Sequence, residues 1–260
     1  PVWLFGFGNE VPAPGDKNDF RSFRSQLDVQ LGLGYQAWPH WSVRVGPELT
    51  LADAVQPGGA VLDTLDVYGA GKFDQLALGG SFELDTRDSD QYPRSGRRWR
   101  LTARVAPSLM DVEDTFGGLT ADLRQYLSAE VAGDPALHLR LRVDRTWGRT
   151  PFFELPYLGG SGALPGFVRR RFVGDAAASA TALARVKLFE PRLVTDLQLG
   201  LHAIGAVGRV WYDGDPSTRW HVGKGGGVWL RLPSIDRTVS VSFVTGDKGV
   251  RAYLDFGFLF

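Results

Sequence analysis

The residues able to carry covalent or metal chemistry are few and wrongly spaced for it. Gly69-Ala70-Gly71-Lys72 contains the glycine and lysine of a phosphate-cradling loop. However, Asp66 and Phe73 occupy the positions where that loop needs glycine and a hydroxyl side chain. Gly159 and Ser161 begin a nucleophile elbow that Ala163 leaves unfinished. The histidines His40, His138, His202 and His221 share no ligand spacing, Asp88 with Asp90 is too little for a calcium loop, and there is no cysteine. The expectation is a protein that is not an enzyme, with no catalytic residue, cofactor or metal. What recurs instead is arginine at every second position. Arg98 with Arg100, and Arg140 with Arg142, point the same way on an extended chain and would set anion preference wherever they face a water-filled passage.

Lining up such arginines takes strands, and the sequence alternates accordingly. Near the C-terminus Val250, Ala252, Leu254, Phe256, Phe258 and Phe260 share one side, while Arg251, Tyr253, Asp255 and Gly257 share the other. Leu27, Val29, Leu31, Leu33 and Tyr35 alternate with polar or glycine neighbours, and so do Trp41, Val43 and Val45, then Leu137, Leu139, Leu141 and Val143. Further strands are expected over 73–87, 97–110, 118–132, 181–189, 193–212, 219–232 and 237–246. With weaker candidates at 2–8 and 249–260, about 12 strands of bilayer-crossing length result. No run approaches the roughly 20 apolar residues of a spanning helix. The 29 basic and 29 acidic side chains give no reason to expect nucleic acid as a partner. The chain opens at Pro1 with no signal-like segment, so it reads as a mature protein or a fragment.

A soluble sandwich also alternates, so the polar face and the connections decide. That face carries Arg98, Arg100, Arg104, Asp122, Arg124, Arg140, Arg142, Arg185 and Arg251, a density suited to a wet or salt-bridged lumen. Tight turns near 39–40, 133–135, 190–192 and 233–235 interleave with longer loops at 9–19, 54–71, 149–175 and 213–218, as periplasmic turns and external loops do in outer-membrane barrels. Trp38, Trp41, Trp99, Trp147, Trp211 and Trp220 fall near strand ends, at headgroup level. Lys224 is the exception, since its register places it toward lipid.

Three stretches resemble one family, the outer-membrane assembly and translocation barrels, a superfamily of insertases and two-partner-secretion translocators also called bacterial surface antigens. Asp85-Thr86-Arg87-Asp88 followed by Tyr92-Pro93-Arg94-Ser95-Gly96 is similar to a family hairpin that forms a periplasmic turn, which accounts for the over-long connection at 88–96. Gly159 to Phe167, with Arg171-Phe172-Val173-Gly174-Asp175, resembles the loop that folds back into the lumen with a Val-Arg-Gly-Phe signature. The matching residues are Leu164, Pro165, Gly166 and Phe167. In the family the arginine pairs with an acid in a lumenal strand; here Pro165 and Ala206 stand at the two positions, so both partners are gone together. The resemblance therefore implies that the loop 149–175 still enters the lumen, held by packing and by Arg169, Arg170 and Arg171. Tyr253, Phe256, Phe258 and Phe260 are similar to the C-terminal signal strand read during assembly, with Asp255 where glycine is usual. Phe5-Gly6-Phe7-Gly8-Asn9-Glu10 and Trp220-His221-Val222-Gly223-Lys224-Gly225-Gly226-Gly227-Val228-Trp229 look like the branch fused to a periplasmic metallophosphoesterase.

The expectation is thus an all-β protein, a transmembrane antiparallel β-barrel forming one domain over 1–260 in the bacterial outer membrane. The family's barrels have about 16 strands, which makes this chain either their C-terminal part or a smaller barrel. The resemblance implies a role in inserting or translocating polypeptide, or in anchoring a periplasmic domain upstream, with lipid and polypeptide as partners. The competing expectation is a passive anion-preferring pore or a membrane anchor.

Overall fold

In the computed structural model, residues 2–3, 5–10, 21–55, 67–191, 196–246 and 249–259 are described. They build β1 (Val2–Trp3), β2 (Arg21–Gln30), β3 (Leu33–Trp38), β4 (Trp41–Val55), β5 (Gly71–Asp85), β6 (Gly96–Ala106), β7 (Phe116–Ser128), β8 (Ala136–Trp147), β9 (Tyr157–Leu158), β10 (Phe172–Val173), β11 (Ala176–Phe189), β12 (Gln198–Trp211), β13 (His221–Leu232), β14 (Arg237–Thr245) and β15 (Val250–Phe256). One antiparallel sheet runs β1-β2-β4-β5-β6-β7-β8-β11-β12-β13-β14-β15, with β3 continuing β2 along the same side of β4. The break between β2 and β3 falls at Leu31 and Gly32, opposite Gly46 and Pro47, where a proline cannot donate to the ladder.

Alternation decides which face looks where. On β8, Leu137, Leu139, Leu141 and Val143 are exposed while His138, Arg140 and Asp144 are buried. The same inversion runs through β5, β11, β12 and β14. A sheet that exposes its leucines and buries its arginines needs hydrocarbon outside, so the fold is a transmembrane antiparallel β-barrel. Trp38 and Trp41 sit at the end of the wall where the tight turns lie, Trp147, Trp211 and Trp220 at the end where the loops lie; these are called the turn end and the loop end. Lys224 does face outward, but it pairs with Thr245, the last residue of β14, and so lies level with the loop-end rim, where its amine can reach headgroups.

Two ends of the chain depart from the expected strands. Only Val2 and Trp3 of the 2–8 candidate join the sheet, against Ser22 and Arg21. Phe5 to Asn9 turn instead into the lumen, where the amide N–H of Gly8 donates to the Val173 carbonyl at 2.8 Å. At the other terminus β15 stops at Phe256, and Gly257, at φ +99°, turns the chain inward so that Leu259 is fully buried beside Leu183, Ile204 and Val244. Phe258 is therefore a lumenal residue and not a lipid-facing one. Phe260 lies outside the described residues. Among the described residues no ladder joins β15 to β1 or β2.

Candidate functional site

The lumenal arginines follow directly from strand register. Arg98 and Arg100, on one face of β6, both meet Glu83 of β5, at 2.7 and 2.6 Å. Arg140 of β8 and Arg124 of β7 share Asp122 at 2.7 and 2.9 Å, and Arg142 takes Asp144 at 2.7 Å. Arg104 reaches Glu154 of the long loop at 2.6 Å. Each guanidinium singled out for anion preference thus meets a carboxylate on the wall, with Arg98 and Arg100 sharing Glu83 and Arg140 sharing Asp122 with Arg124, so each shared group keeps one net positive charge. A paired arginine is a brace rather than a selectivity ring.

At the loop end, residues 149–175 fold into the barrel. Phe152, Phe153, Leu155 and Val173 pack with Phe73, Ala77, Ala106 and Phe116 of the wall, and Leu158, Leu164, Phe167 and Phe172 pack with Ala177, Ala206 and Val210. Ala206, the position that carries the family's acid, therefore makes apolar contact where an ion pair would otherwise be needed. The tip reaches the last three strands: the Gly166 N–H donates to the Tyr253 hydroxyl at 2.9 Å, and Arg251 donates to the Gly166 carbonyl at 3.2 Å. Gly223 of β13 is required here, because a Cβ on it would lie 2.0 Å from the Pro165 carbonyl oxygen. The contacts of the three loop arginines run largely to aromatic rings and to backbone. Arg170 donates to the carbonyls of Phe152 and Phe153, Arg169 lies over Tyr157, and Arg171 over Phe5 and Phe172. They brace the loop against itself and against the N-terminal segment. Burial pushes the Arg170 guanidinium down to about 10, still charged at neutral pH.

The N-terminal segment locks that plug in place. Asn9 is fully buried; its side-chain amide donates to the Ser217 hydroxyl and the Arg219 carbonyl, its side-chain carbonyl accepts from the Val210 N–H, and its own N–H donates to Asp215. Its backbone carbonyl lies 2.9 Å from His221 Nε2. The two backbone N–H donors reaching Asp215, from Asn9 and Ser217, hold its carboxyl below the usual range.

At the turn end, residues 86–95 cross the lumen. Arg87 pairs with Asp85 at 2.7 Å and Asp90 at 2.6 Å, Asp88 accepts from the Arg94 N–H at 2.9 Å, and Gly96, at φ +97°, closes the loop where a Cβ would strike the Thr86 carbonyl. This geometry carries Tyr92 and Pro93 to the opposite wall. Tyr92 packs with Trp229 and Phe258, while the Arg185 guanidinium lies 3.5 Å from its ring centroid and donates to the Pro93 carbonyl at 3.1 Å. Arg231 covers the other side of Tyr92 at 4.2 Å. Between the plugs a lumenal cavity of about 470 Å³ remains, lined by Arg104, Arg140, Arg142, Asp144, Glu154 and Tyr157.

The profile of the Omp85 superfamily domain matches residues 6–248. The chain belongs to the Omp85 superfamily. Among solved structures it is similar to BamA from Haemophilus ducreyi lacking POTRA domains 1-3, with a TM-score of 0.71 at 12% identity over 93% of this chain and 55% of that one. The chain therefore spans about half the length of that relative. It also aligns with the beta domain of the Bordetella autotransporter BrkA over 90% of this chain and 88% of that one, at 18% identity and a TM-score of only 0.37. No curated protein matches the sequence.

Within the Omp85 frame, the structure brings together residues the sequence left apart. Pro165, Gly166 and Phe167 meet Tyr253, and Pro93 meets Arg185. Tyr253 thus faces the lumen loop, while Phe256 faces outward at 81% exposure and Phe258 joins the turn-end plug. Two contributors were missed. Asn9 carries no periodic signal of its own, although an asparagine after two glycines in an aromatic run is suited to pinning a backbone. Tyr92 gave no periodic signal, because it lies between motif halves on a loop. Among the described residues no cluster of histidine and acidic side chains could hold a metal ion.

Proposed function

We propose that this chain is the wall of an outer-membrane assembly or translocation barrel that handles polypeptide at its strand edge and carries a periplasmic domain on its turn-end side. The observation that carries the reading is the pairing of two features, a lumen filled from both ends and a final strand, β15, with no partner on its far side among the described residues. A plugged lumen disfavours steady conduction, and an unpaired edge presents backbone donors and acceptors to an incoming strand. Membership of the Omp85 superfamily supports the same direction. A role as an enzyme has no support in the residue types, and we propose none. The upstream periplasmic domain, including one of the metallophosphoesterase kind, belongs to this proposal.

The test places a photocrosslinker at Ala252 or Leu254 of β15 in proteoliposomes and adds an unfolded outer-membrane polypeptide. Crosslinks confined to β15 and absent from an outward position on β8 are expected, together with no steady conductance in planar bilayers. A stable anion-selective channel without crosslinks overturns the proposal in favour of a passive pore.

A further inference from the structure

The outward faces of β8, β11, β12 and β13 are apolar at every position except three, and all three are basic: Arg145, Arg209 and Lys224. None carries an acid, although the outward rim of β5 pairs Lys72 with Asp74 at 3.7 Å. The three cations are strung along the loop-end rim. Arg145 stands two residues before the end of β8, Arg209 two before the end of β12, and Lys224 level with the end of β14. From strand spacing and register, Arg145 and Arg209 are about 12 Å apart, Arg209 and Lys224 about 14 Å, and Arg145 and Lys224 about 24 Å, so Arg209 is the shared neighbour. Arg209 is already oriented, donating to the Ser217 carbonyl at 2.6 Å beside the Trp211 ring. Below this rim the same wall is hollowed into an apolar groove of about 660 Å³, floored by Ala180, Ala182 and Gly205 and walled by Leu123, Leu141 and Val207, with Trp99 at its far end. At Gly205 a Cβ would meet nothing within 4 Å, so the groove is open space along the ladder row Leu139-Ala182-Gly205-Lys224 that ends at the lysine.

We propose that this wall is a specific site for one lipid of the loop-end leaflet with a phosphate-bearing headgroup, the phosphate held between Arg209 and Lys224 with Arg145 adding attraction from the β8 side, and an acyl chain laid in the groove. Charge complementarity selects the occupant. A zwitterionic headgroup gains little from cations that have no acid on their own wall, whereas a phosphomonoester takes charge-assisted bonds from them at the bilayer interface. The site needs only that the barrel sit in a bilayer, and does not depend on polypeptide handling.

The experiment compares quenching of tryptophan fluorescence by phosphatidate and by phosphatidylcholine, both brominated on the acyl chains, with the protein folded into liposomes. The wild-type chain should prefer phosphatidate by roughly tenfold. Arg145→Gln, Arg209→Gln and Lys224→Gln together should bring the ratio to about one, each single change giving a partial loss. Ala180→Phe, which fills the groove and leaves the cations, should also weaken phosphatidate binding. Lys72→Gln with Arg237→Gln, outside the site, should leave the preference unchanged. Parity in the wild-type chain overturns the proposal, and so does an equal loss in this control variant, which would mean diffuse charge attraction.

Discussion

At the loop end the tip of the plug meets β13 and β15 through backbone atoms and glycine, with the Arg104–Glu154 ion pair farther back along the loop, whereas at the turn end the plug meets the wall through a buried guanidinium. Pro165 and Gly166 approach β13 and β15 closely because Gly223 has no side chain and because a phenol and an arginine reach the N–H and the carbonyl of one residue. Tyr92 and Pro93 stay across the lumen because Arg185, at 2% exposure, fits between an aromatic face and a carbonyl. Contact by shape is lost by adding atoms, and contact by charge is lost by removing them. The two plugs should therefore fail under opposite kinds of substitution.

The largest effect is expected at the turn end. Arg185→Ala takes away one of the two nitrogens that reach the Pro93 carbonyl, His138 Nε2 at 3.1 Å being the other, and leaves a void among Tyr92, Trp229 and Phe258, a loss of about 3–5 kcal/mol by the cost of truncating a large buried side chain. Heat-induced mobility shifts in detergent, with new protease cleavage in 86–95, would record it. Unchanged melting would mean that the guanidinium is not the brace. At the loop end the matching experiment adds bulk. Gly223→Val drives a side chain into the Pro165 carbonyl and should expel the tip at about 2–3 kcal/mol, exposing Arg169, Arg170 and Arg171 to trypsin. Resistance equal to the wild-type chain would remove Gly223 from the account.

How far these plugs were legible in the sequence depends on what positions each residue. Period-two alternation gave the wall, because a strand that buries Arg140 and exposes Leu139 and Leu141 writes its environment into neighbouring residues. The entry of 149–175 into the lumen was legible through resemblance at Gly159 to Phe167. Its means of attachment was not, since Tyr253 and Gly166 meet only after the chain has closed on itself across 87 residues. The pairing of Arg98, Arg100 and Arg140 was hidden for the same reason: Glu83 and Asp122 lie on neighbouring strands, at a register set by turns, whereas Arg142 takes Asp144 two residues along its own strand. The inward bend at Gly257 was masked because Phe258 and Phe260 continue the alternation that Phe256 ends.

The departure at Pro165 and Ala206 offers a coupled test. Pro165→Arg alone, or Ala206→Asp alone, places a charge among apolar residues and should destabilise the loop end. The two together should recover about 1–3 kcal/mol of the summed loss if they form the ion pair that the resemblance implies. Strict additivity would show that the tip has moved too far for the pair to form. Smaller still is Tyr253→Phe, which removes the acceptor of the Gly166 N–H and should cost about 1 kcal/mol, read as a modest rise in trypsin sensitivity at 169–171 and no change at 86–95.

The smallest effect concerns the N-terminal lock and depends on pH. The carboxyl of Asp215 titrates below its free value because the Asn9 and Ser217 N–H groups favour its charged form. A carboxyl lowered on folding stabilises the folded state above its free pKa and loses that contribution as pH falls through the lowered value. Release of Asn9 is therefore confined to acid, below the free value of 3.8, and should leave the turn-end plug untouched, since no such carboxylate holds Pro93. Hydrogen exchange at the Asn9 amide, corrected for its intrinsic rate, should be protected at neutral pH and accelerate in that acid range. In Asp215→Asn the acid-dependent step should vanish. Exchange indifferent to acid in the wild-type chain would mean that the buried side-chain amide bonds to Ser217 and Arg219 hold the segment without the carboxylate.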